Sequence, residues 1–499
     1  MIDKIHSFIG FGKFHKLLVF SLISCSFLTC IVSLSFSYLT KQPQFLCRDN
    51  SLLNFTKCDF EEEKFCNKNK YPEFEYKKDK LNSLDNWSYH FNLYCSNKGY
   101  IVLIGSGFFI GAIFGCIFIT PLPDKYGRKI VLQICLSISC LLHFLILISF
   151  NPLLLSITCI ISGFISSIYG NFSLYANEYL PKENAAMSMS FIDAVYPFMG
   201  FIEALYFLTI NNWRILFLFT TILHAFATYF ILKYLPESPK WLYGEGKIDE
   251  SIENIKKIAE INGKLKEIEN YININKDELY IKDNEGINSN EENNKKYNII
   301  SIIINFPSQR LVIFILSLTF FCASFCFYGI ILSLESMKGN FFYNSILSFF
   351  GEMIAELSSG YLSNIYGRTI ILKSGGIIGA LGFLGNQFCP YNLKPILLFI
   401  SMMGYSSTFN VLYIYSPEII PSSIRSTVCG ALYFCGMVAP SFVPFIKNYF
   451  YNSFDALFII FGLLYSFACM YLKETLNKEI NDEININEKK ESSLIKSIE

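Results

Sequence analysis

Residues 123–129 read PDKYGRK, and residues 364–369 read NIYGRT. Each stretch lies between two apolar segments long enough to cross a bilayer, and the copies are about 240 residues apart in a chain of 499 residues. A charged turn that contains glycine and recurs in both halves indicates an internal duplication of the kind found in membrane transporters. The two turns therefore predict two related helical halves and a protein that transports a solute.

The composition supports a membrane protein. The chain is 52% hydrophobic and 16% charged, whereas soluble domains carry about 25% charged residues. Its formal net charge is +0, which gives no reason to expect a nucleic-acid partner. The lipid bilayer is the expected surrounding.

The apolar segments predict an all-α membrane protein with twelve transmembrane helices in two six-helix bundles. A helix needs about 20 apolar residues to cross the hydrocarbon core, and six such segments lie on each side of a polar middle region. They fall near residues 17–39, 100–122, 130–150, 153–176, 187–209, 213–235, 310–334, 342–363, 370–388, 394–414, 426–446 and 452–472.

The short loops predict the orientation. The 123–129 loop holds three cations, whereas the loops near Asn211 and Asn452 carry almost none. Positive charge favours the cytosolic side, so both Gly-Arg turns, both termini and the middle region are expected there. The predicted divisions are a cytosolic N-terminus (1–16), a first bundle (17–235), a cytosolic linker (236–308), a second bundle (309–472) and a cytosolic tail (473–499).

A large loop, residues 40–99, is then expected outside the cell. It contains Cys47, Cys58, Cys66 and Cys95, which could form two disulfides in any of three connectivities. It also contains two glycosylation sequons, at Asn54 and Asn86. Thiol chemistry and glycosylation both agree with an oxidising exterior.

The linker divides into two parts. Isoleucines recur at helical spacing within residues 249–271, which predicts an amphipathic helix beneath the membrane domain. Residues 272–297 are rich in Asn, Lys, Glu and Asp and predict a flexible segment.

Charged motifs flank the predicted cytosolic helix ends. Gly127 allows a tight turn, with Asp124 and Arg128 available for ion pairs. The second copy keeps Gly367 and Arg368 but has Asn364 in place of the acid, so a weaker charge contact is expected there. Further candidates are Glu178 after the fourth span, Glu237 in PESPKWL (236–242), and Glu418 and Arg425 in YSPEIIPSSIR (415–425).

Acids inside membrane spans are costly and therefore functional candidates. The predicted spans contain Asp193, Glu203, Glu352 and Glu356. Asp193 shares a helix face with Tyr196, and Glu352 shares one with Glu356. Asp193 and Glu352 are the preferred candidates for holding a cation.

These motifs resemble the major facilitator superfamily and, within it, the organic cation, anion and zwitterion transporters of the solute carriers. The resemblance covers roughly residues 1–475 and includes PQFLC (43–47), FNLYC (91–95) and FYGI (327–330). PESPKWL is shared with sugar porters, whereas the large cysteine-bearing loop and FYGI are not. The family usually has six cysteines in that loop, and this chain has the four named above.

The resemblance implies where the solute binds. The family's aromatic pocket positions fall on Tyr169, Tyr196 and Phe327 with Tyr328 beside it, and its eighth-span acid falls on Glu352. The family's eleventh span often carries an acid in cation carriers and an arginine in anion carriers. This chain has neither there, and Tyr433 is the best counterpart. Rings and carboxylates suit a bulky organic cation.

The sequence thus predicts an alternating-access carrier, most consistent with small organic cations, in the plasma membrane and as a monomer. Alternatives are an organic anion or zwitterion (carnitine-like) transporter, a sugar porter, and a non-transporting receptor or scaffold on the same fold. No enzyme, cofactor or metal site is expected, and the sequence contains no GxxxxGK[ST] nucleotide loop.

Overall fold

A computed structural model describes residues 2–49, 54–58, 65–67, 74–80, 83–95, 98–168, 178–181, 188, 194–274, 307–420 and 424–476. The predicted flexible segment 272–297 lies outside these residues beyond Ile274, as do most of the predicted tail and parts of the fourth and fifth spans.

The described part of the first half is helical apart from one small sheet. Its helices are α1 (Ile2–Ile9), α2 (Lys13–Thr40), α3 (Trp87–His90), α4 (Lys98–Phe118), α5 (Leu122–Tyr126), α6 (Arg128–Leu147), α7 (Pro152–Ser166), α8 (Val195–Thr209) and α9 (Trp213–Tyr234). The middle region forms α10 (Pro239–Gly244), α11 (Ile248–Ile261) and α12 (Leu265–Ile274).

The second half repeats the arrangement of long helices. They are α13 (Pro307–Ser333), α14 (Phe341–Tyr366), α15 (Arg368–Phe388), α16 (Lys394–Ile419), α17 (Arg425–Tyr449) and α18 (Tyr451–Ala468). Short 3-10 turns directly follow α13 and α18 and directly precede α16; they are Leu334–Ser336, Cys469–Tyr471 and Tyr391–Leu393, respectively.

Many of these helices suit a bilayer. Within the described residues, nine are long and apolar enough to cross a membrane, and α7 and α8 are shorter apolar helices. Large apolar side chains remain exposed on their outer faces, for example Phe219 at 62%, Phe226 at 63% and Leu357 at 65%. Such surfaces are unfavourable in water and favourable against lipid. The chain is therefore a multi-pass membrane protein.

Two ends of the molecule serve as reference points. The Gly-Arg end carries the two Gly-Arg turns, which join α5 to α6 and α14 to α15. The loop end carries residues 40–99, between α2 and α4. Helices α2 and α4 of the first half pack against α13 and α17 of the second, and α8 packs against α14.

Close helix packing depends on glycine in both halves. A Cβ on Gly163 of α7 would overlap the carbonyl oxygen of Phe108 on α4. In the second half, a Cβ on Gly404 of α16 would lie 2.5 Å from the carbonyl oxygen of Gly375 on α15. Small residues at these crossings let helix backbones approach, which is a common means of helix association in membranes.

The 40–99 loop departs from the all-α prediction, because part of it is a three-stranded antiparallel sheet. Its strands are β1 (Phe45–Asp49), β2 (Thr56–Cys58) and β3 (Phe74–Lys78), in the order β2-β1-β3. The Phe65 ring packs 4.7 Å from that of Phe45 and 5.0 Å from that of Tyr76. Such short strands, rich in charged residues, give little periodic signal.

The linker also differs from its prediction. The predicted amphipathic helix 249–271 is two helices, α11 and α12, separated at Gly263, whose φ of +75° favours glycine. Ile255, Ile258 and Ile268 are buried. Phe8 of α1 stacks on Tyr271 of α12 at 5.1 Å, so the N-terminal residues pack on the linker helices.

Candidate functional site

Four of the predicted pocket residues lie in one group of rings between the halves. Tyr196 of α8 lies 6.2 Å from Phe327 and 6.5 Å from Tyr328, both on α13. Tyr433 of α17 joins the group through Tyr413 of α16, at 6.2 Å. These distances are within the range of favourable aromatic contact.

Three further rings belong to the same group and were not selected from the sequence. Phe409 of α16 stacks on Phe327 at 5.0 Å and lies 5.3 Å from Tyr413, and Phe109 of α4 lies 5.2 Å from Tyr328. In a chain that is 17% aromatic, single-sequence periodicity cannot show which rings face the partner half. We use the name ring cluster for these seven residues: Phe109, Tyr196, Phe327, Tyr328, Phe409, Tyr413 and Tyr433.

Glu352 lies in the middle of α14 and is fully buried. Neither of its carboxyl oxygens has a hydrogen-bond partner among the described residues. One turn earlier on α14, the Phe349 ring packs where a Cβ would stand on Gly200 of α8. Glu352 thus belongs to a helix that forms part of the contact between the halves.

Glu203 of α8 is the other buried acid of the described membrane helices, with 2% of its surface exposed. Ser35 of α2 donates a hydrogen bond to its Oε2 at 2.7 Å. Two site predictions, Tyr169 and Asp193, lie outside the described residues.

The two Gly-Arg turns have almost the same backbone. Gly127 has φ +102° and ψ 153°, and Gly367 has φ +105° and ψ 151°. Positive φ values of this kind favour glycine. A Cβ would also collide with a carboxylate, that of Glu237 in the first turn and that of Glu474 in the second.

Each of those carboxylates binds the start of the helix after the turn. Glu237 accepts from the backbone N–H groups of Arg128 and Lys129 at 2.8 and 2.9 Å. Glu474 accepts from those of Arg368 and Thr369 at 2.9 and 3.0 Å. The first N–H groups of a helix have no partner within it, and a carboxylate also suits the helix dipole there.

The arginine of each turn pairs with an acid from a later helix of its own half. Arg128 Nε lies 2.8 Å from Glu178 Oε1, and its Nη2 lies 2.8 Å from Asp124 Oδ1. Arg368 Nη2 lies 3.1 Å from Glu418 Oε1. Its Nη1 donates to Asn364 Oδ1 at 2.6 Å, so asparagine occupies the place of the acid as a neutral acceptor.

Two sequence predictions at this end can be compared with the described residues. Glu418 pairs with Arg368 and accepts a hydrogen bond from the hydroxyl of Thr475. The side chain of Arg425, the other candidate in this stretch, lies outside the described part of the structure, so its role stays a prediction. The predicted tail from residue 473 begins with residues that complete the second turn, namely Glu474 and Thr475. Glu474 follows the last helix of its half, as Glu237 follows α9. Comparing these equivalent positions in the two halves could have identified Glu474 from the sequence.

Hydrogen bonding determines the protonation of Glu474. Partial burial alone would raise the pKa of its carboxyl, but the hydrogen bonds from Thr369, Leu476 and Arg368 outweigh it and hold the pKa at about 2. Glu474 is therefore ionised at physiological pH.

At the loop end, the halves are in direct contact. The Ser37 hydroxyl of α2 donates to the carbonyl of Ile331 on α13 at 2.6 Å. The Tyr38 ring lies edge-on to Phe341 of α14 at 5.0 Å, and Lys41 Nζ lies 3.7 Å from the centre of the Phe341 ring. Burial lowers the pKa of Lys41 to about 8, although the Glu335 carboxylate opposes the shift.

The 40–99 loop is fastened to the first half. The Asp85 N–H donates to the carbonyl of Asn211 at 2.7 Å, and the Asn86 amide donates to the carbonyls of Tyr38 and Lys41 at 2.8 Å each. Cys66 and Cys95 form a disulfide, and Cys47 is also disulfide-bonded. The side chain of Cys58 lies outside the described part of the structure.

The glycosylation predictions fare differently. Asn54 is exposed, whereas Asn86 is 1% exposed and uses its amide nitrogen for both hydrogen bonds just described. A glycan on that nitrogen would replace a donor and would need space that the packed loop does not provide. Of the two predicted glycosylation sites, the described structure therefore favours Asn54, and a glycan on Asn86 stays a prediction that its burial disfavours.

Comparison with known proteins agrees with this architecture. The family model of the Major Facilitator Superfamily matches residues 87–444. Organic anion transporter 3 of Sus scrofa is 27% identical over 450 residues, covering 80% of this chain and 76% of that protein. Organic cation/carnitine transporter 4 of Arabidopsis thaliana is 24% identical over 401 residues, covering 78% of this chain and 74% of its own length.

A solved structure shows the same fold. The inward-open conformation of the xylose transporter XylE from E. coli superposes with a TM-score of 0.60 at 14% sequence identity, covering 94% of this chain and 98% of that chain. At this identity the likeness concerns the fold alone.

Proposed function

Because the chain belongs to the Major Facilitator Superfamily, we propose that it is a twelve-span alternating-access carrier of small organic cations. Nine of the described helices are long and apolar enough to be spans. Helix α14, which has 26 residues, and the shorter apolar helices α7 and α8 would bring the number of spans to twelve. The Gly-Arg end would face the cytosol and the 40–99 loop the exterior, in the plasma membrane.

The observation that supports a cationic solute is the carboxyl group of Glu352, which is unpaired among the described residues. A buried carboxylate needs a compensating partner, and both of its oxygens are unpaired within the described residues. A cationic solute would supply that partner. The ring cluster would contribute cation–π attraction, worth about 0.5–2 kcal/mol for each favourable ring.

The contacts of the two arginines support alternating access. The partners of Arg128 lie in the first half and those of Arg368 lie in the second. Each half therefore holds its own Gly-Arg end together. The halves meet at the loop end through Ser37, Tyr38 and Lys41, which is the arrangement expected when the exterior side is closed.

An anion or zwitterion carrier is the second candidate, because one of the similar proteins is named as an organic anion transporter. Such a solute would need a cation in the site. Lys447 of α17 is a poor choice, since it lies near the loop end and its Nζ is paired with Glu335.

Uptake at controlled membrane potential tests the proposal. Labelled quaternary ammonium, carboxylate and betaine probes would be offered to cells or proteoliposomes that contain the full chain. We expect saturable uptake of the quaternary ammonium probe that increases when the interior is made more negative. Saturable uptake of only the carboxylate probe would contradict the cation assignment, and uptake of no probe would favour a receptor or scaffold.

A further inference from the structure

Glu203 is deeply buried, and the described residues give it a neutral hydrogen-bond donor, the hydroxyl of Ser35. Its side chain is 2% exposed, and Ser35 donates to it at 2.7 Å. It is the one buried acid in the described membrane helices of the first half. A buried carboxylate without a cation is strongly disfavoured, so this surrounding favours the neutral acid.

The position of Glu203 connects it to the contact between the halves. Helix α8 runs towards the loop end, so Glu203 lies on the loop side of the Gly200–Phe349 contact. The Tyr38 ring stacks on Phe207, one turn beyond Glu203, at 4.7 Å, and makes an edge-on contact with Phe341 of the second half at 5.0 Å. The same stretch of α2 thus covers Glu203 and joins the halves.

We propose that Glu203 is a proton-binding site whose occupancy is linked to closure of the loop end. This inference rests on the proposed alternating access. When the halves separate at the loop end, Ser37 and Tyr38 leave Ile331 and Phe341, water reaches Glu203, and its proton passes to the external solution. Closing requires that a proton return from that solution to the same carboxyl.

The consequence for pH follows from linkage. If closing binds one proton, acidification of the exterior favours the closed state by up to about tenfold in the closed-to-open ratio per pH unit. The effect would persist until the open-state carboxyl itself becomes protonated, near its ordinary pKa of about 4.3.

Other titratable groups face the same region. Tyr38 and Lys41 approach from α2 and the residue after it, Tyr206 lies on α8 itself, and Glu352 and Glu356 lie on α14, on the Gly-Arg side of Phe349. Glu335 lies beyond them, paired with Lys447. Tyrosine and lysine titrate above neutral pH, so the acids of α14 are the rivals that the experiment must separate from Glu203.

Double electron–electron resonance, which measures the distance between two spin labels, would test the proposal without any solute. Suitable positions are Gly99 at the start of α4, where an added Cβ meets nothing within 4 Å, and Tyr391, which is 59% exposed in the second half. Gly99→Cys and Tyr391→Cys would be introduced together with Cys389→Ser, and the protein would be spin-labelled and studied in liposomes. The Cys389→Ser protein without the two new cysteines would show how much signal comes from labels on the remaining cysteines.

We expect the short-distance, closed population to increase on going from about pH 7.5 to about pH 5.5, with a slope approaching the one-proton limit. Glu203→Gln keeps an acceptor for Ser35 and should lose the slope, remaining mainly closed at both pH values. Glu203→Asp restores a carboxyl and should restore the slope. Glu352→Gln should keep it.

Two results would overturn the proposal. One is a closed population in the unchanged protein that does not vary with pH, and the other is an unchanged slope in Glu203→Gln. Because no solute is involved, either result leaves the uptake experiment free to succeed, and failed uptake leaves the pH response intact.

Discussion

At the scale of single residues, Glu352 decides the proposed substrate charge. Its burial and its unpaired oxygens make it the acid with the most to gain from a bound cation. A quaternary ammonium has no N–H to donate, so Glu352 would attract it by charge alone, with a Coulomb energy of up to about 4 kcal/mol at a separation of about 4 Å. Losing about 1.4–2.8 kcal/mol of that attraction corresponds to roughly 10- to 100-fold in affinity.

We therefore expect Glu352→Gln to raise the KM for the quaternary ammonium probe by about 10- to 100-fold, with surface expression unchanged. Asp455→Asn is the matched control, because Asp455 lies at the start of α18 and accepts from Gln387 outside the ring cluster. Its uptake should resemble that of the unchanged protein. Equal uptake in both variants would remove Glu352 from the site.

Glu474 provides a second test at this scale. Glu474→Gln loses the charge that caps α15 and should reduce the free energy of unfolding by about 1–2 kcal/mol, seen as a lower Tm in detergent. Glu237→Gln should behave similarly at α6. Glu245→Gln is the control, because Glu245 is exposed after α10; a drop of equal size there would show that the effect is one of general charge.

The pH dependence of the Glu474 cap has a defined sign. Its folded-state pKa of about 2 lies below the ordinary value of about 4.3. The stabilisation is therefore complete above about pH 4.3 and is lost as the pH falls towards 2. Thermal unfolding followed from neutral pH to about pH 3 should show the Tm difference between the protein and Glu474→Gln shrinking with acidification.

The candidate site was partly predictable for a physical reason. Charged and glycine residues in a short turn carry position-specific chemistry, so Asp124, Gly127, Arg128, Gly367 and Arg368 were identifiable from the sequence. The rings were not all identifiable, because Phe409 and Phe109 resemble the many aromatic residues that face lipid. Only their packing against Phe327 and Tyr328 distinguishes them.

At the scale of elements, long helices were predictable and short ones were not. The predicted span 213–235 corresponds to α9 at Trp213–Tyr234, and 370–388 corresponds to α15 at Arg368–Phe388. Hydropathy determines such segments almost alone. The sheet of the 40–99 loop was missed because its strands are held by pairing and by rings distant in sequence, which a local pattern does not contain.

Helix crossings give a prediction at this scale. Gly163→Ala would place a Cβ against the Phe108 carbonyl of α4, and forcing the helices apart should cost about 1–3 kcal/mol. Gly430→Ala is the control, because it lies in α17 with nothing within 4 Å of the added Cβ. Scanning fluorimetry should show a lower Tm for the first and an equal or higher Tm for the second, since alanine favours helix. Equal losses would contradict the packing argument.

At the scale of the whole molecule, Lys41 adds a second pH response to the proposed closure. Its pKa is about 8 in the closed structure and about 10.4 when exposed to water. Between these values the closed state binds fewer protons, so raising the pH should favour closure; below about pH 8 Lys41 should contribute no slope.

Spin-label distances measured from about pH 8 to about pH 9.5 should therefore show more closed protein at the alkaline end, and Lys41→Met should abolish that change. Glu203→Gln should leave it in place, since the two groups titrate in separate ranges. An alkaline response that survives in Lys41→Met would assign it to another group.

The duplication sets the architecture of the whole molecule, and the two halves share the order of their parts along the chain. Each Gly-Arg turn is completed by a glutamate that follows the last helix of its half, Glu237 after α9 and Glu474 after α18. During synthesis on the ribosome, the first half can cap its turn before any of the second half exists. The second half cannot do so until α18 and the residues after it have been translated. A stop codon between the end of α18 and position 474 would therefore produce a protein with all of its described long helices but without the carboxylate that caps α15, which we expect cellular quality control to recognise.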